Sequence, residues 1–151
     1  MVKLARKKML RLAKQFEGRQ IDFDGKDGPQ CADFSAFLIR NATGQTIQGN
    51  AIYTDSKDNI DIINESADHT AKRISPNQKP KEGDLLVEDT GGDIGHVSII
   101  NKVLPDGKVE VFEQNYNGDA ETNPQGVERR VRNMADKDGW GTVEGYLRIE
   151  G

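Results

Sequence analysis

Four polar residues in this chain are of the types that carry out thiol-dependent chemistry. The sole cysteine, Cys31, follows an acidic loop, and His96 begins a run of β-forming residues. Glu113 and Asn115 lie at the end of a second such run. A cysteine sulfur becomes a strong nucleophile when an imidazole takes its proton, and a carboxylate or amide fixes the orientation of that imidazole. The sequence therefore predicts cleavage by a Cys–His pair, with either Glu113 or Asn115 as the third member.

A helix is predicted to begin at or beside the cysteine. From Cys31 onward apolar residues repeat with the helical period, and Gly44 lies where the run would stop. The N-terminus of a helix favours the thiolate. A lone cysteine is otherwise most often a small buried hydrophobic residue, so its position alone does not establish catalysis. The other histidine, His69, lies in a polar run and is predicted to be a surface residue.

A hairpin is predicted to align the remaining members of the site. The runs 96–103 and 108–115 are separated by Leu-Pro-Asp-Gly, a typical turn sequence. If the residues next to this turn pair with each other, His96 faces Asn115 and Ser98 faces Glu113. Because side chains alternate along a strand, all four then project from one face of the sheet.

The whole chain, 1–151, is predicted to form a single α+β domain with N-terminal helices packed on an antiparallel sheet. Residues 2–17 read as an amphipathic helix whose basic outer face is either simply solvated or docks on an anionic wall polymer. The polar segment 45–80 suggests helical pieces near 51–53 and 60–73. Further strands are predicted at 85–88, 127–132 and 145–150.

Bulk composition excludes several classes of protein. The net charge of −4 and pI near 5.2 argue against nucleic acid as a partner. No apolar run approaches the roughly 18 residues of a membrane helix, and basic residues interrupt the N-terminal segment where a signal peptide would need an apolar stretch. We expect a monomer without a signal peptide, made in a host cytoplasm and released to the wall by another route, or delivered from outside.

The acidic loop before the cysteine has the spacing of a calcium loop. Counting Asp22 as position one, oxygen ligands would fall at Asp24, Lys26, Gly28 and Asp33, with Lys26 and Gly28 contributing backbone carbonyls. The loop departs from the EF-hand rule, because position six is not glycine and position twelve is Asp rather than Glu. The alternative is an acidic turn whose aspartates cap the following helix.

Taken together, these motifs resemble the CHAP family, the cysteine, histidine-dependent amidohydrolases and peptidases. The resemblance is carried by DFDGKDGPQCADF around the cysteine, PKEGDLLV and GHVSII at the histidine, and VFEQNYNG after it. It implies a papain-like α+β fold and cleavage of a peptidoglycan amide, as in a bacteriophage endolysin. It also implies Ca²⁺ at the acidic loop.

The resemblance assigns two further residues to the site. Gln30 would stabilise an oxyanion together with the Cys31 backbone N–H, or would be an ordinary helix-cap residue. Tyr116 would line the substrate groove, or would belong to the core. Two other functions stay open: a non-catalytic calcium-dependent wall-binding module, and a thiol protease or toxin effector that acts on protein. The sequence does not distinguish a muramoyl-alanine amidase from a peptidoglycan endopeptidase.

Overall fold

The structure, a computed structural model, describes residues 4–23, 25, 30–115, 126–134 and 142–151. Three α-helices precede the strands in these ranges: α1 (Leu4–Gln15), α2 (Cys31–Thr43) and α3 (Lys57–Asn64), with a short 3₁₀ helix at Ala51–Tyr53. The strands are β1 (Thr70–Ile74), β2 (Leu85–Asp89), β3 (His96–Val103), β4 (Lys108–Gln114), β5 (Val127–Asn133) and β6 (Thr142–Glu150). No helix within these ranges is long and apolar enough to cross a membrane.

The strands form one sheet in the order β1-β6-β2-β3-β4-β5, with every neighbouring pair antiparallel. The strands β2 to β5 follow chain order, and β6 returns to lie between β1 and β2. The α+β architecture with helices on an antiparallel sheet is confirmed.

Two apolar clusters stabilise the sheet. The larger cluster joins α1 and α2 to the sheet and includes Met9, Phe34, Leu38 and Phe112, all almost fully buried. The smaller cluster contains Leu86, Ile100, Val109, Val111 and Tyr146. Its β4 members, Val109 and Val111, alternate with Phe112 along the strand, so the two clusters lie on opposite faces. Burial of apolar area on both faces fixes the register of the central strands.

The hairpin register matches the prediction at the site but not at the turn. Ser98 pairs with Glu113, as expected, whereas Val103 pairs with Val109 rather than with Lys108. An irregularity between Ile100 and Lys102 adds one residue to β3 and restores the predicted register toward His96.

One helical prediction was wrong in its second half. Of the predicted piece 60–73, only the first part is helical, because α3 ends at Asn64 and β1 begins at Thr70. β1 is an edge strand in which only Ala71 and Ile74 are buried. With so few apolar positions, the sequence of this segment does not distinguish the helical period from the strand period. Its pairing with β6 makes it a strand.

Candidate active site

Cys31 is the first residue of α2, with its side chain 7% exposed. The helix start is fixed by Asp33, whose Oδ2 accepts a hydrogen bond of 2.8 Å from the Gln30 backbone N–H. This is the carboxylate-to-backbone half of a capping box, and it places a negative charge at the positive end of the helix. The sulfur therefore lies where unpaired backbone N–H groups favour negative charge.

His96 opens β3 directly after a constrained glycine. Gly95 has a φ of +69°, and a Cβ at this position would lie 2.7 Å from the Ile52 Cβ and 2.8 Å from the Glu88 carbonyl oxygen. The Ile52 N–H also donates to the Ile94 carbonyl, at 2.8 Å. The end of the glycine-rich segment thus packs on the 3₁₀ helix. This packing fixes the position of the backbone at His96, where β3 begins.

The imidazole lies between the thiol and a carboxylate. His96 Nε2 is 2.8 Å from Glu113 Oε1, and the Glu113 side chain is completely buried. The Cys31 side chain also hydrogen-bonds the ring, which leaves Nδ1 as the nitrogen for the sulfur. Burial alone would lower the pKa of His96, but the hydrogen bonds and charges of Cys31 and Glu113 raise that pKa to about 9. The ring is therefore an imidazolium at neutral pH.

Glu113 stays ionised although it is buried. Burial alone would raise the pKa of Glu113, but the hydrogen bond from His96 and the charges of His96, Arg132 and Arg130 lower it below the ordinary value. Arg130 Nε donates to Glu113 Oε2 at 2.8 Å, and Arg132 Nη1 lies 3.4 Å from Oε1. A buried carboxylate needs such partners to remain charged.

The sequence analysis missed both arginines. They belong to β5 and reach Glu113 from the neighbouring strand. Arg132 is also buried and donates to Glu88 Oε2 on β2 at 2.6 Å. The signal was present in the alternation of the run VERRVR, which places Arg130 and Arg132 on one face. Only the pairing of β5 with β4 shows that this face carries Glu113.

A second buried carboxylate lies beside the histidine. Glu88 pairs with His96 across β2 and β3, and its side chain is almost fully buried. Burial raises the pKa of Glu88, against the lowering effect of Arg132 and His96. Ser98 Oγ is also buried and has no hydrogen-bond partner in the part of the chain that the structure describes. The site is therefore a buried cluster of charged side chains from neighbouring strands of the sheet, larger than the predicted three residues.

Gln114 is a further residue that was not predicted from the sequence. Its wholly buried side chain accepts a hydrogen bond of 2.7 Å from the Ile21 N–H and donates to the carbonyls of Ile21 and Gln30, at 2.8 and 2.7 Å. One amide thus fastens both ends of the acidic loop to β4. Because Gln30 directly precedes Cys31, Gln114 positions the start of the helix that carries the predicted nucleophile. A buried polar residue at a core-facing strand position was the available signal, since such groups need partners.

Only part of the predicted calcium loop lies in the described ranges. Asp22 is exposed and Asp33 is buried, whereas Asp24, Lys26 and Gly28 lie outside the described residues. Within the described residues, no group of three or more acidic, histidine or cysteine side chains is placed to hold a metal ion. The Asp33 bond to Gln30 gives the helix-capping alternative a physical basis.

The remaining predicted residues are placed as follows. Gln30 is half-buried at the start of α2, and Tyr116 lies outside the described residues. The β3–β4 ladder begins at the Ser98–Glu113 pair, and Asn115 lies beyond it with a φ of 61°. Glu113 is thus the residue in direct contact with His96 Nε2. The His69 ring hydrogen-bonds Ser66 instead, with its Nδ1 2.8 Å from Ser66 Oγ.

A groove of ≈ 380 Å³ lies beside the start of α2. It is lined on one side by Phe23, Gln30 and Ala32, and on the other by residues 46–50. The residues on either side of Cys31 therefore border a space that can admit an extended ligand.

Comparisons with known proteins identify a matching family and similar folds. A family model described as the CHAP domain matches residues 21–115, more than half of the chain. The crystal structure of a wild-type endolysin, LysIME-EF1, is similar with a TM-score of 0.70 and 24% identity, over 98% of this chain and 64% of that one. The structure of Ly7917 with the hydrolysing product of MDP has a TM-score of 0.65 and 18% identity, over 97% of this chain and 63% of that one.

The chain thus spans less than two thirds of the length of these two structures. No curated protein matches the sequence.

The first prediction concerns the support of Glu113. A lowered carboxylate pKa contributes stability that is present above the unfolded value, near 4.5, and is lost as the pH falls through the folded value. Arg130→Gln removes one charge that lowers the pKa, so the acid-unfolding midpoint should move to higher pH, as measured by circular dichroism. Arg129→Gln is the matched control, because Arg129 is a half-exposed neighbour that pairs with Glu17 and Glu110. Equal midpoints for the two variants would contradict this role.

The second prediction concerns Gln114. Gln114→Leu leaves one N–H and two carbonyls without their partner, so the free energy of unfolding should fall by about 3 kcal/mol or more in urea titration. Gln78→Leu, at an exposed turn, should change it by less than about 0.5 kcal/mol. A similar small change in both variants would show that the loop is not fastened by this amide.

Proposed function

Because this chain belongs to the CHAP domain family, we propose that it is a hydrolase that cleaves an amide bond of bacterial peptidoglycan with Cys31 as nucleophile. The observation that carries the proposal is the contact of His96 with both Cys31 and a buried, ionised Glu113. A binding module would have no need to keep a buried charge network beside a thiol, since such networks are costly unless fully paired. The likeness to an endolysin supports the fold on which this chemistry would be built.

The first half of the reaction forms a thioester. The Cys31 sulfur, as a thiolate paired with the His96 imidazolium, attacks the amide carbonyl carbon and places the electron pair on the carbonyl oxygen. The Cys31 backbone N–H and Gln30 stabilise that oxyanion. His96 then donates its proton to the amide nitrogen, the C–N bond breaks, and the amine leaves. The ring starts the reaction protonated, because the hydrogen bonds and charges of Cys31 and Glu113 raise the pKa of His96 to about 9 against the lowering effect of burial, so it has a proton to give to the leaving amine.

The second half restores the enzyme. His96, now neutral, takes a proton from water, and the resulting hydroxide attacks the thioester carbonyl. The C–S bond breaks, a carboxylic acid is released, and the sulfur regains its ion pair with the imidazolium. Glu113 holds the ring through Nε2 in both halves, so Nδ1 carries out every proton transfer.

The groove beside α2 would accept the peptide portion of the substrate. It borders Gln30 and Ala32, the residues on either side of Cys31, and so lies next to the proposed nucleophile. Tyr116 and Asn115 follow Glu113 in sequence, and we assign Tyr116 to the substrate groove and Asn115 to a supporting role at the end of β4. A protease or effector that acts on protein would use the same chemistry, but no described feature favours a protein substrate. Phage origin also belongs to the proposal. Product analysis decides between amidase and endopeptidase.

We also assign a calcium ion to the acidic loop. Carboxylate and carbonyl oxygens are the ligands that this hard cation prefers, and Asp22 with Asp24, Asp33 and the carbonyls of Lys26 and Gly28 would hold it. Gln114 fastens the loop at both ends, so a cation between those ends would brace the segment that precedes Cys31. The ion would supply structural support and charge neutralisation there. The proton transfers remain with His96.

The third prediction tests the nucleophile. Cys31→Ala should lower the release of new termini from purified peptidoglycan by a factor on the order of a thousand or more, and His96→Ala should do likewise. His69→Ala is the control, because the His69 ring hydrogen-bonds Ser66, which is not a residue of the proposed site, and the rate should stay unchanged. Mass spectrometry of the products identifies the bond. A near-parental rate of cleavage by the Cys31→Ala variant would contradict the thiol mechanism.

The fourth prediction concerns the metal. Calcium added to the chelator-treated protein should raise the melting temperature and release a saturable heat in calorimetric titration, because a ligand bound only by the folded state stabilises it. Magnesium should be much weaker, since it requires a tighter octahedral shell. Asp24→Ala should abolish the heat, whereas Asp93→Ala, an exposed acid in another loop, should retain it. An absent calcium heat in the parent protein would leave the loop as a helix-capping turn.

A further inference from the structure

A second groove shares no lining residue with the groove beside α2. It has a volume of ≈ 480 Å³ and is formed by α1, the segment before β2 and the end of β3. Four exposed cations line it, Lys7, Arg11 and Lys14 from α1 and Lys102 from β3, together with one carboxylate, Glu82. A protein with a net charge of −4 thus concentrates positive charge in one concave place.

These cations are not used to hold the fold together. In the described ranges, no carboxylate forms an ion pair with any of the four. By contrast, Arg73 and Arg148 on the sheet are paired with Asp55 and Asp84. The α1 sequence LARKKMLRLAKQ contains no acidic residue at all, so the helix has no internal counter-charge. The groove therefore presents positive charge that a ligand can neutralise.

The spacing of the charges indicates the shape of the ligand. Lys7, Arg11 and Lys14 follow the i, i+4, i+7 pattern of one helix face, which spans about 10 Å along the axis. Lys102 adds charge from the facing strand. A small anion would contact one or two of these cations, whereas a linear polyanion with a charge on each repeat would contact the whole row. Counterion release would make such binding salt-dependent.

The groove is separate from the catalytic site. Lys102 lies six residues after His96 along β3, which corresponds to about 20 Å at the usual rise per residue. A ligand in this groove would therefore leave Cys31 and the groove beside α2 accessible.

We propose that this basic groove binds the phosphodiester polymers that are attached to peptidoglycan in bacterial walls. The proposal rests on the proposed function, because a wall hydrolase acts on the peptidoglycan to which these polymers are attached. The groove would hold the domain on the wall between catalytic events, although the chain as a whole is acidic. The four cations would act only on binding to the wall polymer, so they would not change the chemistry at Cys31.

The experiment compares binding to two wall preparations at low salt. Purified walls are used either intact or after chemical removal of their phosphodiester polymers, and binding is measured by co-sedimentation. Lys7→Gln combined with Arg11→Gln should weaken binding to intact walls on the order of tenfold and leave binding to stripped walls unchanged. Lys79→Gln combined with Lys108→Gln removes the same charge from exposed positions elsewhere and should have little effect. Lys7→Arg combined with Lys14→Arg retains the charge and should retain binding.

Three results would overturn the proposal: full binding by the groove variant, equal losses in the groove and control variants, or equal binding of the parent protein to intact and stripped walls. Duplex DNA added as a competitor tests a different polyanion, and preferential displacement by DNA over the released wall polymer would also overturn it. Cleavage of stripped peptidoglycan is measured in parallel. The groove variant should cleave it at the parental rate, so an absence of cleavage in the parent protein would contradict the proposed function alone.

Discussion

The site depends on one buried contact, the 2.8 Å hydrogen bond between His96 Nε2 and the ionised Glu113 carboxylate. A carboxylate with no exposure to water keeps its charge only if positive groups surround it. Arg130, Arg132 and the imidazolium supply that charge, and Arg132 continues to Glu88. Strands β2, β3, β4 and β5 therefore each contribute one part of a single electrostatic unit. The strand order has a chemical consequence, because a slip in any one pairing would separate these charges.

Side chains alternate between the two faces of β4, so neighbouring residues at the end of this strand hold both His96 and the segment before Cys31. Glu113 projects to the face that carries His96 and the arginines, and Gln114, the next residue, projects to the face covered by the helices. Gln114 then holds the Gln30 carbonyl, immediately before Cys31. His96 and the segment that leads into Cys31 are thus held by adjacent residues of the same strand. This arrangement fixes the position of the imidazole relative to the sulfur, although the two residues lie on different elements.

Sequence reasoning reached the parts of the site that depend on local structure. The placement of Cys31 followed from the helical period, and the Ser98–Glu113 pairing followed from the hairpin, although the turn itself was displaced by one residue. The bulge at Asn101, whose side chain bonds Glu110, restored the register and could not be read from composition. Arg130, Arg132 and Gln114 were missed because their partners lie far away in the chain. The edge strand β1 was missed because only a neighbouring strand distinguishes it from a helix.

The charge of His96 at neutral pH is the central physical claim, and nuclear magnetic resonance titration of the histidine ring protons measures it directly. The chain contains only two histidines, so His69→Ala assigns the signals without ambiguity. We expect His96 to titrate at about pH 9, well above the usual 6.5, because Cys31 and Glu113 outweigh the effect of burial. A His96 that titrates at or below 6.5 would show that Glu113 and the sulfur do not hold a charged ring.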